Sequence, residues 1–383
     1  EKLRMSEKNE VFESIMREVN MVKKKIVLVL VLVMVATLFA ACGQKATSST
    51  EPTSTPATKA TSSGGDTASN TGADAPEASK DLDILWVHSG AANQSEQRAY
   101  AGFMAFIKKQ GWNWKVTEVN SEDSDAKSAN HISDGVVKGY DVIVASMVDM
   151  RATVPAIKEA NAANIPIFTI DSGYTEGVVV DVTSNNNVMS AKVSTYLTDV
   201  IGGNGNICVL SASGFAGGRK RGNVLYAVLE ECPGINVLDD HNIDLTDFFN
   251  DSANTAEDWV SRFGDKIDAI WCVWDEPAMA VTNVLTAAGY TREDIPIVSI
   301  DGNESAVQMM RDGSPIIATV AQPFELMGSS TAKLIQNVVV NGRSWDEAVG
   351  ATTIYVDAPL ITITNIPEKG TPAYQAVDFY SSF

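Results

Sequence analysis

The sequence predicts an α/β protein of two doubly wound, parallel-sheet lobes, and three observations carry that expectation. From Leu82 onward, short runs rich in Val and Ile recur along the chain. The runs are apolar throughout, as strands covered on both faces are, instead of alternating with polar residues. Segments of helical period separate them, among them Val154–Ala162 and Pro277–Ala288. Strand and helix in alternation place helices on both sides of a parallel sheet. About 300 residues of ordinary globular composition follow residue 80, more than a single core usually holds, and the expectation is therefore two lobes.

The elements begin after a long N-terminal preface. Lys23, Lys24 and Lys25 precede an apolar run from Ile26 to Ala41, broken only by Thr37, that stops at Cys42. A basic head, an apolar middle and small residues before a cut site make a secretory signal. The run is shorter than the ~18 residues a spanning helix needs. It also lacks the polar face of a surface-packed helix. Leu38-Phe39-Ala40-Ala41-Cys42-Gly43 resembles the lipobox of bacterial lipoproteins, with Phe39 where that motif usually has Leu. The resemblance implies cleavage before Cys42 and lipidation of its thiol, so that residues 21–41 form the signal peptide. Residues 1–20 fit no part of a signal and read as an over-extended start, with Met21 the better initiator. From Gln44 to Lys80 there is no Ile, Leu, Val, Met or aromatic residue. Such a stretch buries too little apolar surface to offset the entropy of ordering it, and residues 42–80 read as a flexible tether.

The strands expected in the first half are Leu82–Val87, Val142–Ala145 and Ile165–Ile170. In the second half they are Asn206–Leu210, Ala269–Val273, Ile295–Ile300 and Ile316–Val320. In open parallel sheets ligands bind beyond the carboxyl ends of the strands. The residues there are polar: His88, Ser89, Asn93, Ser95 and Glu96 follow the first strand, Asp149 the second, Asp171 and Ser172 the third. Ser211 to Arg219, Trp274 with Asp275, Asp301 with Gly302, and Gln322 follow those of the second half. Together they describe a polar cleft with an aromatic wall, suited to a polyhydroxylated guest.

Composition narrows the partners. A formal net charge of -19 argues against nucleic acid or anionic lipid. Of the four cysteines, Cys42 is assigned to lipid, and Cys208, Cys232 and Cys272 lack both metal-ligand spacing and an even count for a disulfide framework. No Walker pattern, dinucleotide fingerprint, Gly-x-Ser-x-Gly elbow or zinc-type histidine pair is present. The reading is of a binding protein without cofactor or metal, and not an enzyme; an extracytoplasmic hydrolase is the remote alternative.

Five motifs stand in order along the globular part. They are Ile165-Pro166-Ile167-Phe168-Thr169-Ile170-Asp171, Gly217-Gly218-Arg219-Lys220-Arg221-Gly222, Trp274-Asp275-Glu276-Pro277-Ala278-Met279-Ala280, Val298-Ser299-Ile300-Asp301-Gly302 and Ala318-Thr319-Val320-Ala321-Gln322. From Leu82 to about Ile363 the chain resembles the ribose-binding branch of the type I periplasmic binding proteins. That resemblance implies three crossovers near residues 185, 323 and 358, with one lobe from 81–185 and 323–357 and the other from 186–322 and 358–383. It implies a hinge that closes on a sugar, delivery to an ABC permease, or, as an alternative, signalling to a chemoreceptor or sensor kinase. Position by position, Asp171, Arg219, Asp301 and Gln322 match ligand-binding residues. Trp274 stands where the ribose binders carry an amide, and Phe248 is the candidate second aromatic. In the first loop, where ribose binders have an Asn and two aromatics, this chain has Asn93, Gln94, Ser95 and Glu96, which points away from ribose itself. The expected ligand set is thus Asn93, Ser95, Glu96, Asp171, Ser172, Arg219, Phe248, Trp274, Asp301 and Gln322.

Overall fold

The computed structural model describes residues 80–344, 348 and 350–381. The expected signal peptide, Cys42 and the expected tether up to residue 79 lie outside the described residues. The first lobe opens with β1 (Asp83–His88), α1 (Gln94–Gln110), β2 (Lys115–Asn120), α2 (Asp125–Lys138), β3 (Val142–Ser146), α3 (Val154–Ala162), β4 (Ile167–Ile170) and β5 (Val180–Thr183). The second comprises α4 (Asn186–Val200), β6 (Asn204–Ser211), α5 (Ala216–Glu230), β7 (Gly234–Asn242), α6 (Phe248–Arg262), β8 (Ala269–Cys272), α7 (Asp275–Ala287), β9 (Ile297–Ile300), α8 (Glu304–Arg311) and β10 (Ile316–Val320). The chain then returns as α9 (Phe324–Ile335), adds β11 (Thr353–Tyr355) to the first sheet, and ends with β12 (Leu360–Thr362) on the second.

The first sheet has the order β11-β5-β4-β3-β1-β2 and the second β12-β10-β9-β8-β6-β7. Every resolved pairing is parallel except β12 against β10. In each sheet the order reverses once, between β1 and β3 and between β6 and β8. The loops after those strands diverge and leave a crevice, the usual place for a ligand in a doubly wound sheet. The chain passes between sheets three times, between Thr183 and Asn186, between Val320 and Phe324, and between Tyr355 and Leu360.

Local chemistry sets the elements that frame the crevice. Asn93 caps α1 by accepting a hydrogen bond from the Ser95 amide, and Gly111, at φ 71°, ends it in the left-handed conformation. Asn185 caps α4 through the amides of Asn187 and Val188. The first lobe packs Trp86, Phe103 and Phe168 on one face of its sheet and Leu85, Ile143 and Ile157 on the other. In the second, Trp271, Val209 and Val298 belong to one continuous core.

Five strands have no counterpart among the expected runs: β2, β5, β7, β11 and β12. Strands β2 and β7 are sheet edges whose residues are partly exposed, so their sequences mix polar and apolar residues. Strand β5 is interior, but Asp181 interrupts its apolar run; its carboxylate is buried and accepts from Thr169 Oγ1 and from the amides of Ser172 and Gly173. Its desolvation and the neighbouring Asp171 carboxylate push its pKa up to about 6. Cys208, Cys232 and Cys272 are all free thiols.

Candidate functional site

The crevice between the lobes is walled by residues from both sheets, with Ser89, Gly90, Asn93, Ser95, Glu96 and Asp123 on one side. Facing them are Phe215, Arg221, Phe248, Trp274 and Asp301, with Asp171 on the first-lobe side of the base. The gap holds about 560 Å³ of empty space, part of it continuous with solvent.

At its base lies a charged cluster drawn from both lobes. Arg221, only 2% exposed, projects from the first turns of α5. Its Nε donates to Asn186 Oδ1 at 2.7 Å and its Nη1 to the Val273 carbonyl at 2.8 Å. The remaining nitrogen stands 3.4 Å from Asp301 Oδ1 and 3.8 Å from Asp171 Oδ2. Asp171 also accepts from Thr183 Oγ1 at 2.5 Å and Asn186 Nδ2 at 2.9 Å. Asp301 accepts from Gln322 Nε2 at 2.9 Å and, across the lobes, from Ser95 Oγ at 2.9 Å. Both aspartates end a strand with positive φ, 47° at Asp171 and 130° at Asp301, a conformation L residues rarely adopt. Non-glycine residues held this way concentrate at functional sites, where the surrounding structure enforces the strain. Burial pushes the Asp301 carboxyl up, and the Arg221 charge works against that.

One wall is aromatic. Trp274 caps α7 with extended backbone and is 4% exposed. Phe215 and Phe248 meet it edge-on, with ring centroids at 5.9 and 5.7 Å. Among the described residues the buried Trp274 indole nitrogen has no hydrogen-bond partner, and neither has Gln322 Oε1. Buried polar atoms left unpaired are rare in folded proteins, and here both belong to residues that build or back the crevice.

The structure brings Asn93, Ser95, Glu96, Asp171, Phe248, Trp274 and Asp301 to one gap, and Gln322 directly behind Asp171 and Asp301. Two expected residues stand elsewhere. Arg221, not Arg219, is the arginine that lines the gap: two positions apart on α5 the side chains point to nearly opposite faces. Arg219 Nη1 instead pairs with Asp149 of the first lobe at 2.8 Å and donates to the Ser213 carbonyl, at the rim. Burial favours a neutral Asp149, but the bonds from Arg151 and Arg219 outweigh it and hold its pKa down. Ser172 is the second residue outside the gap. Its hydroxyl donates to the carbonyls of Ala145 and Ile170, tying the turn after β4 and facing the rim. Glu96 lines the gap, but both its oxygens are engaged, one by the amides of Ser89 and Gly90 and the other by His88.

Sequence reasoning missed Arg221, Asp123 and Phe215. Arg221 was in the quoted motif, and only the helix phase distinguishes it from Arg219. Asp123 lies after an edge strand that carried no apolar run, so its place at a strand end was hidden.

Acidic groups surround the base. Burial, aided by Asp301, pushes Asp275 up to about 7, although Ser299, Asn303 and Thr319 all donate to it. Burial, with Asp301 and Asp275 nearby, raises Glu276 to about 8; its carboxylate accepts from the Gln94 amide across the lobes and from Asn303 Nδ2. A carboxyl whose pKa is raised on folding binds its proton more tightly in the native state. Stability is then greatest below the unfolded value of ~4.3 and falls as pH rises through the folded one. The globular domain is therefore expected to melt several degrees higher at pH 5.5 than at pH 8.5. Glu276→Gln should flatten that slope in denaturant titrations; an unchanged slope would place the linkage elsewhere.

Comparison with known proteins adds the family. A periplasmic binding protein domain matches residues 84–344. The ribose import binding protein of Bacillus subtilis is 24% identical over 246 residues, covering 64% of this chain and 77% of that protein. The Escherichia coli protein of the same name is 26% identical over 233 residues, 60% of this chain and 76% of its own length. An ABC transporter solute-binding protein from Agrobacterium vitis with bound allitol superposes with a TM-score of 0.68 at 24% identity, covering 75% of this chain and 97% of that one. The matched domain spans more than half of the chain, and the chain belongs to the periplasmic binding protein family.

Proposed function

We propose that this chain captures a monosaccharide-like ligand outside the membrane and presents it, enclosed between the lobes, to the permease of an ABC importer. The observation that carries the reading is the pairing of Asp171 and Asp301, from opposite lobes, about one buried guanidinium beneath an aromatic wall. Carboxylates accept hydroxyl protons, and a guanidinium fork donates to ring and hydroxyl oxygens. An indole covers the apolar face of a sugar ring. Relatives named for ribose import and a structural neighbour holding allitol support the same class of guest.

Ser95 to Asp301, Gln94 to Glu276 and Arg219 to Asp149 join the lobes only while they are together. A guest that touches both lobes shifts the population towards that arrangement. Residues 21–41 and Cys42 supply export and a lipid anchor in this reading, with residues 42–80 as the tether.

A thermal-shift screen of pentoses, hexoses, deoxy sugars and polyols, followed by calorimetry, tests it. At least one should bind with a Kd of about 1 μM, which needs ~8 kcal/mol. If none binds more tightly than millimolar, the sugar reading fails. Trp274→Ala should weaken a pyranose hit by about tenfold, as loss of ~1.5 kcal/mol of ring contact implies. A loss of fold stability with unchanged affinity would instead make that indole a core residue.

A further inference from the structure

Four carboxylates line the crevice, and three are accounted for. Glu96 is held by His88, whose other ring nitrogen meets Glu118 at 3.1 Å. Burial would lower the His88 pKa, but the two carboxylates outweigh it and raise it. Asp171 and Asp301 share Arg221 and accept five hydroxyl or amide bonds between them. Asp123 has no such compensation. Its only side-chain bond among the described residues is from Ser89 Oγ, at 3.3 Å. Among the described residues no cationic side chain forms an ion pair with it; burial and the Glu96 charge push its pKa up to about 6, which leaves it largely anionic at neutral pH.

The backbone keeps this carboxylate where it is. Glu122 and Asp123 are consecutive non-glycine residues with positive φ, 51° and 55°. The Asp123 amide donates to the Ser89 carbonyl at 2.7 Å. Gly90 lies so close that a Cβ there would collide with both Asp123 carboxylate oxygens. Strained backbone and a glycine cradle thus present an uncompensated anion to the gap. A neutral hydroxyl can donate one hydrogen bond to it but cannot cancel its charge. An ammonium does both, and the wall across the gap is aromatic, formed by Phe215, Phe248 and Trp274, a lining compatible with a cation.

We infer that the preferred guest is a polyhydroxylated amine, an amino sugar or amino polyol, whose ammonium pairs with Asp123. This deepens the sugar reading and rests on it, because it places the guest in the same crevice.

The test is calorimetry at pH 7 with matched probes: glucosamine, galactosamine and mannosamine, 1-amino- and 6-amino-deoxy sugars, their parent sugars, and the N-acetyl forms that keep the nitrogen but lose the charge. At least one amine is expected to bind tenfold or more tightly than both its parent and its N-acetyl form. In Asp123→Asn, and in Asp123→Ser should the first variant fold poorly, that ratio should fall towards one. Parents binding as tightly as every amine would overturn the amine inference and leave sugar capture standing. No binding by any probe would overturn both. An amine preference that survives in the Asp123 variants would remove Asp123 from the account.

Discussion

Replacing Arg221 by methionine is expected to lower ligand affinity at least a hundredfold, about 2.7 kcal/mol, and to destabilise the globular domain. The same change at Arg219 is expected to weaken binding less than tenfold. The difference follows from what each guanidinium leaves behind. Arg221 is enclosed, and its removal strands two buried aspartates from opposite lobes and the Val273 carbonyl. Breaking a buried charge pair in this way typically costs about 3–5 kcal/mol, because the remaining charge keeps its desolvation penalty. Asp301, which burial already pushes up, would lose the charge that opposes that shift and take up a proton more readily, so the Arg221→Met protein should recover stability as pH falls from 7 to 5 more than the parent does. Arg219 lies at the rim, and Asp149 keeps Arg151 when Arg219 is gone. Its loss should act on the lifetime of the closed state and be felt mainly as faster ligand release, more so at low salt. Arg221→Lys, a point charge without the fork, should fall between parent and methionine. Calorimetry on the tightest sugar from the screen, with melting curves at two pH values, decides the matter. A larger affinity loss for Arg219→Met than for Arg221→Met would restore the assignment that sequence alone suggested.

That reversal shows what a sequence of this class discloses. Its interior parallel strands, β5 excepted, were legible because burial on both faces makes them apolar throughout, as in Val142–Ser146 and Ile316–Val320. The edges were not, because β2 and β7 carry the mixed composition of half-exposed strands. The crevice was legible as a set of strand ends, which is why Asp171, Trp274 and Asp301 fell into place together. Helix phase was not: Arg219 and Arg221 differ by two residues, and nothing in their neighbours states which one turns inward. Ser172 shows a third limit. A small hydroxyl at a strand end serves a ligand or its own turn with equal ease, and here the carbonyls of Ala145 and Ile170 claim it. Charge balance was the least visible of all. Whether a carboxylate is compensated depends on contacts such as His88 with Glu96, eight residues apart, or Arg221 with Asp301, which periodicity does not reveal.

Gly328→Val is expected to damage the fold from outside the crevice. Helices α1 and α9 cross with their backbones in contact, because a glycine stands at each side of the crossing. A Cβ on Gly328 would collide with the Ala99 carbonyl and approach the Phe103 amide; one on Gly102 would collide with the Glu325 carbonyl. The obstructing atoms are main chain inside helices, which no rotamer change can move aside. The helix axes must separate, and that opens the first-lobe core cluster to which Phe103, Phe324 and Met327 belong. Overpacking alone costs about 1–3 kcal/mol, and a forced backbone shift at a helix crossing belongs at or beyond the upper end. The consequence reaches the crevice as well. Arg98 on α1 pairs with Glu325 at the start of α9 and donates to the Asp301 and Gln322 carbonyls and to Asn303 Oδ1. Parting the helices therefore loosens the strand end that carries Asp301. Gly222→Ala is the control: a Cβ there meets nothing within 4 Å, and in a helix the change should be neutral or stabilise by up to ~1 kcal/mol. Urea midpoints measure both. A Gly328→Val protein with the parent's midpoint would mean that the two helices do not pack backbone to backbone, and the return of the chain to its first lobe would need another account.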